Sequence, residues 1–140
     1  MNVYLDTSAL LKLLVQEPGS DVAASLWDAG DSVATSRLAY PEARAALASA
    51  ARGRRLTPAA HRAAKSELGE LMKQVALVEV TAGICDEAGD LAEGFALRGY
   101  DAVHLASAVA IADGDTVLAT WDEELRAVAV RAGMAVAPSP

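Results

Sequence analysis

Short apolar segments alternate with helical segments along all 140 residues, and this alternation most limits the possible folds. The predicted order is β-α-α-β-α-α-β-α-α-β-α-β, without a linker or an internal repeat. Strands separated by helices need crossover connections, which make neighbouring strands parallel. Continuous apolar runs such as residues 116–120 are typical of strands buried on both faces. We therefore expect an α/β fold, a three-layer α/β/α sandwich around a small central parallel sheet of four to five strands.

The composition agrees with this fold class. Hydrophobic residues make up 53% of the chain, and aromatic residues only 4%. Such a composition, rich in Ala, Leu and Val, suits many helices packed on a small sheet. The length predicts a single domain over residues 1–140, with a helical hairpin at about 38–73. Pro41 implies either that the first hairpin helix begins near Tyr40 or that it is kinked there.

Targeting and redox signals are few. No apolar run reaches the roughly 18 residues that a membrane span needs, and no cleavable signal sequence is present, so we expect a soluble cytoplasmic protein without membrane contacts. Cys85 is the only cysteine, which excludes an internal disulfide and a thiolate zinc site within one chain. We expect Cys85 to be a small buried residue on a helix.

Four acidic residues occupy positions that a parallel sheet places on one rim. Asp6 and Asp122 directly follow apolar strands, while Glu42 and Asp101 lie at or near helix starts. Four carboxylates within about 5 Å would repel by roughly 3 kcal/mol per pair at an effective dielectric near 20. A helix-capping role could explain any one of them, but a shared divalent cation explains all four. Oxygen-only ligation selects Mg²⁺ or Mn²⁺ over zinc.

Metal-activated water is a natural nucleophile for phosphodiester hydrolysis. A strand that ends in Asp also fits a haloacid-dehalogenase-like phosphatase, but Ser8 stands where that class needs a second Asp. A phosphoacceptor receiver domain would need adjacent acids early in the chain and a lysine after a later strand, and neither is present.

Four segments carry a family resemblance: YLDTSAL at 4–10, YPEAR at 40–44, YDAVHLA at 100–106 and TWDEEL at 120–125. In this order and spacing the chain resembles a PIN-domain protein, specifically a VapC-type toxin ribonuclease of a bacterial toxin–antitoxin pair, over residues 2–138. The resemblance implies a Mg²⁺- or Mn²⁺-dependent endoribonuclease that hydrolyses RNA and is inhibited by a cognate antitoxin. It also implies a homodimer. A non-catalytic metal-binding or regulatory interaction protein with the same fold is the alternative.

The resemblance also assigns roles to individual residues. The catalytic acids would be Asp6, Glu42, Asp101 and Asp122, of which Asp6, Asp101 and Asp122 would bind metal. Glu42 would either bind metal or position the attacking water. Thr7, Ser8 and Thr120 would be supporting hydroxyls that orient the ligands or water.

Positive charge is concentrated in the predicted hairpin, although the net charge of the chain is −7. No acid lies between Ala43 and Ser66, a stretch that holds Arg44, Arg52, Arg54, Arg55, Arg62 and Lys65. These residues could contact RNA phosphates or the antitoxin, or they could simply be solvated. For Arg44, close to Glu42 in sequence, we expect an ion pair with a carboxylate, with a substrate phosphate as the alternative.

Three further features have structural interpretations. His104 lies one helical turn after Asp101, and we expect it to make a structural hydrogen bond rather than bind metal. Trp27 and Trp121 are expected to pack in the core rather than stack on bases. The leucine-rich first helix has more apolar surface than one core face requires, which predicts a groove or a homodimer surface.

Overall fold

The elements follow the predicted order. The structure is a computed structural model that describes residues 1–139. Its strands are β1 (Asn2–Leu5), β2 (Ser32–Ser36), β3 (Ala76–Val78), β4 (Thr116–Ala119) and β5 (Ala135–Ala137). Its helices are α1 (Thr7–Leu14), α2 (Ser20–Ala29), α3 (Ala39–Arg52), α4 (Pro58–Gln74), α5 (Ala82–Phe95), α6 (Gly99–Ile111) and α7 (Glu123–Arg131).

All five strands form one parallel sheet in the order β3-β2-β1-β4-β5. The central strand β1 pairs with β2 on one side and β4 on the other, so that Val3 lies opposite both Val33 and Val117. The chain therefore winds outward from β1 to β3 and then returns to the other side of β1. Such a reversal opens a crevice at the carboxyl ends of the strands, where α/β proteins bind ligands. Here it lies between β1 and β4.

Helices cover both faces of the sheet, as predicted. Because side chains alternate along a strand, Val3 and Leu5 point to one face and Tyr4 to the other. Val3 and Leu5 belong to a core formed with α1, α3 and α4. Tyr4 belongs to a second core, formed with α5, α6 and α7. β1 is thus buried between two cores, which fixes the position of the residue that follows it.

The start of α3 decides between the two alternatives for Pro41. α3 begins at Ala39, so Pro41 lies in the first turn, where a proline interrupts no helical hydrogen bond. α3 and α4 contact each other along the chain's most basic stretch. β3 is only three residues long. Within residues 1–139, no helix is long and apolar enough to cross a membrane.

The prediction for Cys85 was wrong, because its side chain is exposed on α5. The neighbouring Ile84 packs towards the core, and the next position on a helix is rotated about 100° away from it. Both tryptophans pack against the α1/α3/α4 core, as predicted.

Candidate active site

Asp6 lies at the centre of the crevice, held by hydrogen bonds on both carboxylate oxygens. As the residue after β1, it caps α1 and is only 3% exposed. Its Oδ1 accepts hydrogen bonds from the Ser8 hydroxyl (2.7 Å) and the Ala9 amide (2.9 Å), and its Oδ2 accepts one from the Thr120 hydroxyl (2.6 Å). Burial raises the pKa of Asp6, although these hydrogen bonds favour the ionised form and oppose the shift. The carboxylate is therefore fixed in one orientation.

Thr120 connects the acids that follow β1 and β4. Its Oγ1 donates to Asp6 and accepts a hydrogen bond from the backbone amide of Asp122 at 3.0 Å. Asp122 caps α7, and its Oδ1 accepts the Leu125 amide at 2.9 Å. A single buried hydroxyl thus joins the Asp6 carboxylate to the backbone of Asp122.

Glu42, in the first turn of α3, is held by a second hydrogen-bond network. Its Oε1 accepts the Thr7 hydroxyl at 2.7 Å and lies 2.6 Å from Nε2 of His104. The Nδ1 of His104 lies 2.8 Å from the phenol oxygen of Tyr4, and both rings are buried. Burial strongly raises the pKa of Tyr4, so the phenol stays protonated. Because a carboxylate only accepts hydrogen bonds, Nε2 of His104 donates to Glu42.

This network determines the charge on Glu42. Burial raises its pKa, but the hydrogen bond and charge of His104, the Thr7 hydroxyl and the charge of Arg98 lower it by more, so the net shift is downward. Glu42 is accordingly ionised at neutral pH. Since both ring nitrogens of His104 are used in hydrogen bonds, its structural role agrees with the prediction.

Arg98, a residue that the sequence did not single out, bridges Asp101 and Asp122. Its Nε donates to Oδ2 of Asp101 at 2.9 Å and its Nη2 to Oδ2 of Asp122 at 3.0 Å. Asp101 lies in the first turn of α6, three residues after Arg98. That i, i+3 spacing at a helix start was the available sequence signal.

The four acids therefore belong to two separate hydrogen-bonded groups and do not form one cluster. In one group Asp6 and Asp122 share Thr120, and Arg98 ties Asp101 to Asp122; in the other, Glu42 contacts Thr7 and His104. Within the part of the chain that the structure describes, no three Asp, Glu, His or Cys side chains are arranged to hold a metal ion. The donor set nevertheless fits a hard cation, because the oxygens at the crevice come from carboxylates and hydroxyls.

The expected ion pair of Arg44 with a carboxylate was wrong. Its Nη1 donates to the Tyr40 hydroxyl at 2.8 Å, and the guanidinium lies 5.6 Å from the centre of the Tyr40 ring. Residues two apart on a helix point in different directions, so Arg44 does not face Glu42. Arg52, Arg54 and Arg55 lie at the opposite end of α3 from Glu42, roughly 15 Å away for ten residues of helix.

An apolar groove lies beside Glu42. It is lined by Leu38, Pro41, Ala45 and Tyr100 together with Glu42. Tyr100 is 64% exposed although it immediately precedes Asp101. The crevice thus opens onto a surface that offers both an aromatic ring and carboxylate oxygens.

Comparison with known proteins places these features in a family. Residues 3–131 match the PIN domain family. "Ribonuclease VapC45" of Mycobacterium tuberculosis (strain CDC 1551 / Oshkosh) is 49% identical over 137 residues, which cover 98% of this chain and 95% of that protein.

Two solved structures show the same fold. PAE2754 from Pyrobaculum aerophilum is 26% identical with a TM-score of 0.69, covering 91% of this chain and 84% of that one. A toxin–antitoxin complex from Klebsiella pneumoniae contains a chain that is 16% identical with a TM-score of 0.60, covering 85% of each chain. At 16% identity the second likeness concerns the fold alone.

Proposed function

The chain belongs to the PIN-domain family, among its VapC-type members, and we propose that it is the ribonuclease toxin of a toxin–antitoxin pair. It hydrolyses RNA phosphodiester bonds as an endoribonuclease, and its activity depends on Mg²⁺ or Mn²⁺. The 49% identity to a protein named as a VapC ribonuclease, over nearly the whole of both chains, supports the reaction class.

One observation supports the assignment of the site more than any other. Asp6 and Asp122 follow the two strands that flank the sheet reversal, and the Thr120 hydroxyl connects the Asp6 carboxylate to the backbone of Asp122. Helix capping alone would not require a buried carboxylate with three hydrogen-bond donors. The three hydrogen bonds instead hold this carboxylate in one orientation at the carboxyl edge of the sheet, where α/β proteins bind ligands, and this position supports a role in binding a cation.

We assign the residues as follows. Asp6, Asp101 and Asp122 would hold the divalent ion, which when bound supplies a positive charge for phosphate oxygens. Ser8 and Thr120 fix the orientation of Asp6, and Thr7 fixes that of Glu42. Glu42 is ionised and half-buried at the edge of the crevice, so it can orient a water molecule and accept its proton.

The proposal includes macromolecular partners. RNA is the substrate, and Arg44, Arg52, Arg54 and Arg55 are assigned to contacts with RNA phosphates or with the antitoxin. A cognate antitoxin is expected because the Klebsiella protein of the same fold belongs to a toxin–antitoxin complex. A homodimer is expected through the leucine-rich α1, where Leu11 and Leu13 remain partly exposed. RNA and an antitoxin would both be met in the cytoplasm.

Cleavage of RNA by the purified protein tests the reaction and the site together. Wild type should cut RNA in Mg²⁺ or Mn²⁺ and lose the activity in excess EDTA. Asp6→Asn and Asp101→Asn should each reduce the rate by at least about 100-fold, since each removes a charge that holds the cation. Asp115→Asn is the matched control, because Asp115 is an exposed acid that pairs with the N-terminal amine instead. Equal cutting by all four proteins, or cutting that persists in EDTA, would refute the assigned site.

A growth experiment tests the toxin role. Expression of the chain should arrest growth, and coexpression of the small open reading frame beside its gene should relieve the arrest. If neither growth arrest nor RNA cleavage is observed, the alternative of a non-catalytic interaction protein is supported instead.

A further inference from the structure

Arg98 lies between two of the proposed metal ligands. Its guanidinium reaches Oδ2 of Asp101 through Nε and Oδ2 of Asp122 through Nη2, at 2.9 and 3.0 Å. A planar guanidinium with divergent N–H groups suits such a bridge between two carboxylates. One positive side chain therefore occupies the space between two acids that a cation would also have to bridge.

The backbone of Arg98 is held in place by its neighbours, whereas its side chain is largely exposed to solvent. Leu97, the preceding residue, is buried in the core, and the carbonyl of Arg98 accepts the Ala102 amide in the first turn of α6. The Arg98 side chain itself is 68% exposed, whereas that of Asp101 is only 13% exposed. The side chain can therefore leave the acids by rotating into solvent without any movement of the fold.

The positive charge of Arg98 lies beside two negative charges, those of Asp101 and Asp122. Asp101 and Asp122 repel each other when both are ionised, and Arg98 offsets that repulsion when no metal is present. A divalent cation would take over this role with twice the charge, and it would repel a guanidinium that stayed in place. Arginine and metal therefore compete for the same carboxylates.

From these contacts we propose that Arg98 is an internal counter-ion that holds Asp101 and Asp122 before a divalent cation binds and is displaced by that cation. This inference rests on the proposed metal site. Arg98 is then a positioning residue. It holds Asp101 and Asp122 in place when no metal is bound, and it weakens metal binding because the cation has to displace it.

Direct metal binding tests the proposal. Mn²⁺ is titrated into the whole metal-free protein by calorimetry, comparing wild type with Arg98→Gln. Removing an exposed guanidinium from two carboxylates should lower the apparent Kd for Mn²⁺ by about fivefold to tenfold at low salt. The difference should shrink in 0.5 M salt, where the Debye length is under about 5 Å. Arg98→Lys, which keeps the charge, should lie closer to wild type.

Arg37→Gln is the matched control. Arg37 is also exposed and also pairs with a carboxylate, that of Glu79, so its replacement changes the net charge equally but away from the crevice. Its Kd for Mn²⁺ should stay within about twofold of wild type, since exposed charges at a distance are screened. Thermal unfolding provides a second measurement: without metal Arg98→Gln should melt below wild type, and Mn²⁺ should raise its Tm by more than it raises that of wild type.

The Mn²⁺ titrations distinguish failure of the Arg98 role from failure of the proposed metal-dependent function. A Kd for Arg98→Gln that equals or exceeds that of wild type would overturn the counter-ion role, as would equal tightening in Arg37→Gln. Wild type and Arg98→Gln both failing to bind Mn²⁺ would overturn it too. If RNA cleavage then also persisted in EDTA, the metal-dependent function would fail with it. Mn²⁺ binding that is unchanged by Arg98→Gln, together with EDTA-sensitive cleavage, would leave the proposed function standing and reject only the role of Arg98.

Discussion

A hydrogen bond of 2.8 Å joins the phenol oxygen of Tyr4 to Nδ1 of His104 across 100 residues of sequence. Tyr4 lies in the central strand, His104 in the buried helix α6, and both side chains are almost fully inaccessible to solvent. Through His104, the central strand thus positions Glu42, which lies on a different helix.

Tyr4→Phe should lower the free energy of unfolding by about 1–3 kcal/mol, because it leaves the buried Nδ1 without a partner. It should also slow RNA cleavage, since His104 can then rotate or change tautomer and bind Glu42 less well. Urea unfolding and initial cleavage rates measure the two effects. Tyr40→Phe is the control: it removes an exposed hydroxyl bonded to Arg44 and should change stability by less than about 0.5 kcal/mol. Equal stability losses in both variants would contradict this prediction.

Thr120→Val should affect both stability and activity. The substitution keeps the side-chain shape but removes the hydroxyl that donates to Asp6 and accepts from the Asp122 amide. We expect a loss of about 1–3 kcal/mol in unfolding free energy, together with a lower cleavage rate. Thr116→Val, at the other end of β4, removes a hydroxyl bonded to Asp113 and should destabilise the protein without slowing cleavage per folded molecule. Full activity in Thr120→Val would show that this hydroxyl does not position the acids.

Gly19→Ala should be more harmful than Gly114→Ala. Both glycines have positive φ angles, +96° and +87°, which cost an alanine about 1–2 kcal/mol. At Gly19 an added Cβ would also lie 2.5 Å from Nε1 of Trp121, whereas at Gly114 it would meet nothing within 4 Å. Thermal unfolding of the two variants isolates the effect of this contact. A Tm for Gly19→Ala at or above that of Gly114→Ala would mean that Trp121 moves aside freely.

The ion pair of Arg37 and Glu79 predicts a pH effect. The hydrogen bond and charge of Arg37 lower the pKa of the Glu79 carboxyl. A lowered folded-state pKa means that the pair stabilises the protein above the ordinary glutamate pKa and that this stabilisation disappears as pH falls through the lowered value. Carboxyl titration by NMR should show the pKa of Glu79 rising in Arg37→Gln. Lys73→Gln, which breaks the exposed pair with Glu70, should leave it unchanged.

The positions of the four acids could be predicted because local patterns determine them. Apolar runs mark where β1 and β4 end; Asp6 follows β1 directly, Asp122 comes three residues after β4, and both cap the next helix. A parallel sheet then requires the two residues to share one rim. The element order and the parallel sheet followed from the same reasoning.

The partners of these acids could not be predicted, because they depend on how helices are oriented across the fold. His104 and Glu42 are 62 residues apart, and Arg98 and Asp122 are 24 apart. Sequence proximity suggested Arg44 as the arginine beside an acid, but the helical rotation turns it towards Tyr40. Helix orientation instead brings Arg98 to the crevice.

The central position of β1 in the sheet also has a consequence for protein synthesis. Asp6 is made 114 residues before Thr120, which donates to its Oδ2 from the end of the neighbouring strand. A nascent chain that stops before Thr116 lacks β4, Thr120 and Asp122 together, so the Oδ2 atom of Asp6 has no hydrogen-bond donor and no neighbouring acid at β4. We expect such a chain to leave RNA intact, including the ribosome's own. An RNA-cutting protein built in this order is expected to stay inactive until β4 and residues 120–122 have been made.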